Sequence, residues 1–506
     1  VASAGISLNK DIKHLFDLAC RSWAKHTAEI ISGQNSETYY ISSRNRRVRL
    51  TWSKRMLTEL SFRNFKSWKE IDRMRMAPVT GLFGTNSSGK SSIIQFLLLL
   101  KQTAEANDRR IILDFGDENS KINLGNFKEI IHGHDESSPL DFSVSWKLPK
   151  PLFPYDSYRQ EKLVGGETMK FETAIIQEKQ KLKVEHFKYT LGRSESFGME
   201  KNEEEPNKYK LFSVSDRFQF IRKQGRAWRL PAPIKFYGFP DEVNTYFQNA
   251  DFISDLQLEL TQMLGRLYYL GPLREYPKRH YTSKGTTPSD MGPKGEYVVD
   301  AILAARQRGA YISPGPKKRR RTLEESVAFW LKELGLIHSF KVEPIAKGSN
   351  LYQVKVKRGP QSSEVLITDV GFGVSQILPV LVMCYYVDEG STILLEQPEI
   401  HLHPSVQMGL ADVFIDVMKH RNVQVILESH SEHLLNRLQR RLAEESISTE
   451  QVALYFCDAG QAASRLNPLQ VDLYGNIENW PPDFFGNSFN EIAARQEAQL
   501  KRKTGN

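Results

Sequence analysis

Eight residues constrain this chain more than any others in it: Gly84-Thr85-Asn86-Ser87-Ser88-Gly89-Lys90-Ser91. They follow an apolar run, Val79–Phe83, and open a stretch with helical spacing, Ser91–Gln102. Strand, glycine-rich turn and helix in that order are what a GxxxxGK[ST] phosphate loop needs. The glycines let the backbone curl so that its N–H groups point inward at phosphate oxygens, and the helix N-terminus adds positive potential. Lys90 is expected to reach the β- and γ-phosphates of a nucleotide, and Ser91 to ligate Mg²⁺. The pattern alone arises by chance in roughly one chain of this length in fifty. The flanking strand and helix make a plain Gly/Ser turn a poor explanation.

The second half of the chain supplies further chemistry. Thr392–Glu396 is a buried-strand run ending in a carboxylate, followed by Gln397, Pro398 and Glu399-Ile400-His401-Leu402-His403-Pro404. Val425–Leu427 is another apolar strand, ending in Glu428-Ser429-His430. Ahead of both stands Asp369–Gln376 (DVGFGVSQ), a Gly-rich turn leading into an apolar helix.

This order of motifs resembles an ABC-type ATPase, and more narrowly the RecF/SMC/OLD-like branch found in DNA repair and phage defence. Within that branch the chain is similar to a predicted-ATPase family with a C-terminal domain of unknown function, found in bacterial anti-phage defence systems. The likeness is carried by Gly84–Ser91, Asp369–Gln376, Leu395–Pro404 (LEQPEIHLHP), Glu428–His433 (ESHSEH), Tyr269–Arg279 (YLGPLREYPKR) and Trp480–Gly486 (WPPDFFG), and runs from about Met56 to Leu500. It implies ATP and Mg²⁺ as cofactors, with nucleotide held by Gly84, Thr85, Asn86, Ser87, Ser88, Gly89, Lys90, Ser91 and Ser92, and metal by Ser91 and Glu396. It makes Gly371–Gln376, through Gly371, Gly373, Ser375 and Gln376, the signature that caps the γ-phosphate of an opposite subunit. Ile400–His403 becomes the D-loop and His430 the switch histidine. A split site of this kind implies a homodimer or higher oligomer with ATP sandwiched between heads.

Three departures from the family pattern matter. The usual signature serine falls at Gly371, so capping must rest on backbone amides and the helix dipole. Glu396 takes an aspartate position, tolerable for a hard cation that wants oxygen. Gln397 stands where ABC ATPases place the catalytic glutamate, and a glutamine orients water without accepting its proton. Either Glu399 supplies the carboxylate, or hydrolysis is slow and the ATP-bound dimer long-lived. Gln397, Glu399 and His430 are therefore the candidate catalytic residues. His401 and His403, with Glu399 nearby, also have spacing for a cation on an extended segment, although the D-loop explains the same residues. Arg274 reads as a nucleotide contact, as a coupling of the insertion to the head, or as a structural ion pair. Trp480, Phe484 and Phe485 read as core of the tail or as a docking patch.

The expected fold is α/β: an ABC-type P-loop ATPase head, a mixed sheet flanked by helices, with a β-rich and helical insertion and a small C-terminal α+β extension. Residues 1–55 read as an N-terminal extension with an amphipathic helix at Ile12–Ile31 and a basic stretch at Arg44–Arg49; Met56, just ahead of the alternating Leu57–Phe65, reads as the natural start. Residues 56–135 form the first half of the head. The insertion spans 136–362, with strands at Leu140–Trp146, Lys170–Ile176, Lys181–Leu191 and Tyr209–Val214, then helices at Phe252–Leu267, Tyr297–Arg306 and Leu323–Leu334. Residues 363–455 complete the head and 456–506 form the extension. The loop Pro316–Arg321 (PKKRRR) is either solvated or in contact with phosphate.

Composition narrows the function classes. Hydrophobic residues at 40% and charged residues at 25% are an ordinary globular balance. No apolar run approaches the ~18–20 residues that span a bilayer, so no membrane partner is expected. Three cysteines without a CxxC pair leave no disulfide framework or zinc knuckle, which points to a reducing cytoplasm. The net charge of +9 hints at an acidic partner such as nucleic acid. No nuclease motif or hydrolytic triad is recognisable. The expectation is a cytoplasmic sensor-motor subunit of an anti-phage defence complex, controlling a separate nuclease effector. The alternatives are a DNA-repair ATPase that clamps DNA and a non-catalytic ATP-binding scaffold, the latter favoured by Gln397.

Overall fold

The computed structural model describes residues 55–202, 205, 208–225, 229–481, 495–499 and 502, and the backbone of three short strands nearer the N-terminus. The chain divides into two compact units, Val1–Lys54 and Arg55–Asn506. In the first, Glu29–Ser32, Thr38–Ser43 and Arg46–Thr51 form an antiparallel sheet. This corrects the end of the helix expected at Ile12–Ile31: Ile30 and Ile31 pair with Ile41 and Tyr40. β-Branched neighbours suit a strand better than a helix end. The rest of that helix lies outside the described residues.

The second unit is built on two sheets. One has the order Leu267–Leu270, Thr392–Glu396, Gln424–Glu428, Val79–Gly84, Val452–Asp458, all parallel, with Arg465–Pro468 antiparallel at the edge. Its central strands are buried end to end, as a sheet covered on both faces requires. The other sheet is antiparallel, in the order Tyr209–Val214, Glu195–Lys201, Lys181–Leu191, Gly166–Glu178, Leu140–Leu152, Met56–Phe65, Trp68–Arg75. The strands expected as an insertion thus extend the sheet that Met56–Phe65 begins. The mixed α/β architecture with sheets flanked by helices is the expected fold class.

Between the two sheets lies the helix Lys90–Glu105 that follows the phosphate loop. Phe96 stacks on Phe62 with ring centroids 4.6 Å apart and meets Phe65 and Phe142 edge-on at 5.1 and 5.2 Å. Each such pair contributes about 0.5–1.5 kcal/mol beyond the area it buries, so this one side chain anchors the phosphate-loop helix to the antiparallel sheet. The opposite face of the parallel sheet is covered by a second core, in which Ile393, Leu395, Val425 and Leu427 pack with Ile377, Leu381, Leu410, Phe414, Leu434 and Leu438. These come from the helices Phe372–Tyr386, Pro404–Arg421 and Glu432–Ala443. Among the described residues no helix is long and apolar enough to cross a membrane.

The helix expected to end at Leu267 stops at Gly265, and Leu267–Leu270 is an edge strand of the parallel sheet. The expected helices at Tyr297–Arg306 and Leu323–Leu334 appear as Val298–Gln307 and Leu323–Glu333. The second is closed by a Thr322/Glu325 capping box, which satisfies two orphan N–H groups at its start.

Candidate functional site: the phosphate-loop cleft

Val79–Gly84 delivers the chain into a loop that only particular residues can make. Gly84 has φ 134°, and a Cβ there would lie 2.1 Å from the Cys457 carbonyl oxygen on the neighbouring strand. Gly89 has φ 89°, and a Cβ would come within 2.7 Å of Trp68 Nε1, the indole that donates to the Gly89 carbonyl at 3.0 Å. Ser87, at φ 59°, adds a third left-handed residue. Lys90 then turns back over the loop, its Nζ donating to the Gly84 and Thr85 carbonyls at 3.1 and 2.6 Å. Burial lowers its pKa, against the pull of Glu428.

The loop forms one wall of a cleft of about 430 Å³, lined also by Gln397, Glu428 and His430. Parallel pairing sets Glu396 opposite Glu428, so two carboxylates end the adjacent strands. The Ser91 hydroxyl donates to Glu428 Oε2 at 2.6 Å, and the nearby Gln397 side chain helps hold that carboxyl down against burial. Gln397 holds the left-handed conformation at φ 45°, and its N–H donates to the Glu428 carbonyl at 2.9 Å. Strain of that kind persists where surrounding contacts fix it, often at functional sites. Glu396, expected beside the metal, does not line the cleft: its Oε1 accepts from the Tyr269 hydroxyl at 2.9 Å. Burial, then the Glu428 charge, pushes its carboxyl up to about 7. Burial likewise raises Glu428 and Glu399. Glu399 lies behind the cleft, its Oε1 accepting the His430 N–H at 2.7 Å. His430 faces the cleft, its pKa lowered by burial and then by Lys90.

The remaining candidates sit elsewhere. Gly371 caps the helix Phe372–Tyr386 and is exposed, and Gly373 is partly buried. Ser375 is buried and donates to the Phe372 carbonyl at 2.7 Å, and Gln376 is buried with no partner for its Nε2. None of the four lines the cleft of its own chain. His403 caps the helix Pro404–Arg421, its Nδ1 accepting from the Ser405 N–H, while the His401 ring meets Phe372 edge-on at 5.3 Å. Among the described residues no His/Cys/Asp/Glu group could hold a metal by itself. Arg274 is buried and donates to the Glu396 carbonyl at 3.3 Å; burial lowers it to about 10. The basic loop is exposed at Lys317, Lys318, Arg319 and Arg320. Trp480 is described and half-exposed; Phe484 and Phe485 lie outside the described residues.

Residues 321–435 match the family model of an AAA ATPase domain. That match contains the Gly371–Gln376 turn, both acidic strand ends and His430. Residues 447–494 match the family described as a protein of unknown function (DUF3696). Among solved structures the chain is similar to an Smc head bound to the C-winged helix domain of ScpA, at 11% identity and TM-score 0.39, covering 82% of this chain and 98% of that one. It is similar also to the SMC head domain from Thermotoga maritima, at 12% identity and TM-score 0.33, covering 82% and 99%. A third is the Pyrococcus furiosus Smc head with an extended coiled coil, bound to the C-terminal domain of ScpA, at 10% identity and TM-score 0.38, covering 82% and 96%. Nothing among curated proteins matches.

Around the cleft stand residues that sequence reasoning missed. Lys66 and Ser67 reach it from the turn between Met56–Phe65 and Trp68–Arg75, and Gln95 from the phosphate-loop helix. Lys66 Nζ donates to Gln95 Oε1 at 2.5 Å, a second cation at the cleft wall. Glu428 was visible as a carboxylate closing a strand, but nothing local marked it as the partner of Ser91.

Proposed function

We propose that this chain is an ABC-type ATPase head that binds Mg²⁺·ATP in the Gly84–Ser92 cleft, pairs with a second copy across it, and hydrolyses slowly. The observation that carries the proposal is the convergence on one cleft of Lys90, Ser91, Gln397, Glu428 and His430, from a phosphate loop and two strand ends. Lys90 is placed to neutralise β- and γ-phosphate oxygens, and loop N–H groups to hold them. Ser91 and a strand-end carboxylate are hard oxygen donors that fit Mg²⁺; the cation, when bound, would neutralise charge on the phosphates. Gln397 orients water, and His430 meets the γ-phosphate. Slow turnover follows from the absence of a proton acceptor at 397. Pairing is supported by the exposure of Gly371 at the helix start, outside the cleft of its own chain.

Lys90→Ala tests the site directly. Loss of hydrogen bonds to a charged group is worth ~1.5–3 kcal/mol, so ATP affinity in equilibrium titration falls roughly 10- to 100-fold while the fold persists. Unchanged affinity sinks the proposal.

The motif resemblance extends the reading to a bacterial anti-phage defence complex, in which this head is the cytoplasmic sensor-motor and a separate nuclease chain the effector. Purification of the tagged chain from its host, with the co-purifying proteins identified, tests that role; recovery without a nuclease counts against it. The exposed Lys317–Arg320 loop favours one second reading, a head that clamps DNA itself. In that case DNA affinity of the isolated protein falls steeply between low and physiological salt.

A further inference from the structure

Thr392–Glu396 and Gln424–Glu428 run parallel with Glu396 directly opposite Glu428. On its other side Glu428 pairs with Leu82, in the strand that delivers the phosphate loop. A carboxylate at 428 therefore starts one strand spacing, about 4.8 Å, nearer that loop than one at 396. The side chains keep this order. Ser91 donates to Glu428 Oε2 at 2.6 Å, and Lys90 Nζ lies 4.0 Å from Oε1. Glu396 is engaged on the far side by the Tyr269 hydroxyl, with Arg274 on its carbonyl.

We propose that Glu428, and not Glu396, is the carboxylate that serves the divalent cation of this site, an inference that rests on the nucleotide-site reading above. A serine hydroxyl has one proton and two lone pairs. With its proton committed to Glu428, the Ser91 oxygen keeps its lone pairs for a cation. Mg²⁺ in nucleotide sites takes one or two carboxylates together with phosphate oxygens, so a single well-placed Glu428 beside Ser91 suffices. Gln397, which lines the same cleft, helps steady the ionised form of that carboxylate.

The experiment uses the full chain and three variants, Glu428→Gln, Glu396→Gln and Lys90→Ala. A fluorescent ATP analogue is titrated in EDTA and in Mg²⁺, and Mn²⁺ binding with ADP present is followed by electron paramagnetic resonance. In the wild type the cation tightens nucleotide binding. Glu428→Gln keeps the cation-free nucleotide affinity but loses the gain from Mg²⁺, and Mn²⁺ affinity falls roughly 10- to 100-fold. Glu396→Gln keeps both. Should Glu428→Gln fail to fold, Glu428→Asp draws the carboxylate back from Ser91 and weakens Mn²⁺ binding, whereas Glu396→Asp leaves it unchanged. Loss of Mn²⁺ binding in Glu396→Gln, alone or equally with Glu428→Gln, overturns the assignment. A wild type that binds no nucleotide, or that Lys90→Ala matches, is a different failure: the nucleotide site itself is then wrong.

Discussion

Gln397→Glu exchanges one NH₂ for an oxygen, and the surroundings of that group set the result. The Gln397 side chain shares the cleft with Glu428 and steadies its charge, and Glu396 sits opposite Glu428 on the neighbouring strand. An ionised Glu at 397 would face Glu428 without a proton between them. At about 4 Å and an effective dielectric near 20, two like charges repel by roughly 4 kcal/mol, or about three pKa units. The variant carboxyl therefore titrates near neutrality, and at lower pH it keeps a proton and mimics glutamine. Above that range it is a base beside the attacking water, and general-base catalysis is worth ~10²–10⁴-fold. The expected result is a single-turnover hydrolysis rate like wild type at pH 6 and one that climbs through neutrality to at least ~10² times wild type at pH 8.5. ATP binding is measured independently at each pH. Glu399→Gln serves as the contrast: its oxygen still accepts the His430 N–H, so hydrolysis changes little. If Gln397→Glu binds ATP but hydrolyses it at the wild-type rate throughout, Gln397 is not beside the water. If Glu399→Gln abolishes a brisk wild-type activity, Glu399 is the base.

Two further outcomes can be checked on the same protein. Gly373→Asp has room within its own chain, the nearest atoms to an added Cβ being 3.6 Å away; it should leave nucleotide affinity unchanged but prevent ATP-dependent pairing by like-charge repulsion at the partner's γ-phosphate, and pairing that survives in light scattering rules out capping in trans. Glu396 is raised from 4.5 to about 7 in the folded head, so the native state holds a proton that the unfolded chain has released across that window, and stability falls as pH rises through it. The shift corresponds to about 3 kcal/mol; in EDTA without nucleotide, the thermal midpoint should be lower at pH 8 than at pH 5.5, and Glu396→Gln should flatten the difference. Equal midpoints in the wild type contradict the burial argument.

What was legible in the sequence was local. The phosphate loop shows itself because backbone geometry demands glycine at 84 and 89, and the strands Thr392–Glu396 and Gln424–Glu428 because burial on both faces leaves continuous apolar runs. Elements with a broken period were harder to see. Trp68–Arg75 buries Trp68, Ile71 and Met74 at every third residue, because its register with Met56–Phe65 shifts between Leu60 and Phe62. Leu267 continues the apolar spacing of the preceding helix, and only the edge of the parallel sheet makes Leu267–Leu270 a strand. Lys66 and Ser67 reach the cleft through sheet packing on Phe96, which no pattern near the phosphate loop encodes.

Register also decides how the glutamine at 397 should be understood. From the sequence Gln397 is a missing base and Glu396 a misplaced aspartate, two independent defects on one strand. Strand order joins them to Glu428. With Gln424–Glu428 lying between the acidic strand and the phosphate loop, Glu428 is close enough to accept the Ser91 hydrogen bond. A second carboxylate at 397 would then compete with it for ionisation. Glutamine avoids that conflict: it can donate to Glu428 and still present an oxygen to water. On this reasoning the cleft floor keeps one working carboxylate, moved a strand nearer the phosphates, and gives up fast proton transfer in exchange. Under the proposed function, a cleft built this way would favour persistence of the bound nucleotide over turnover.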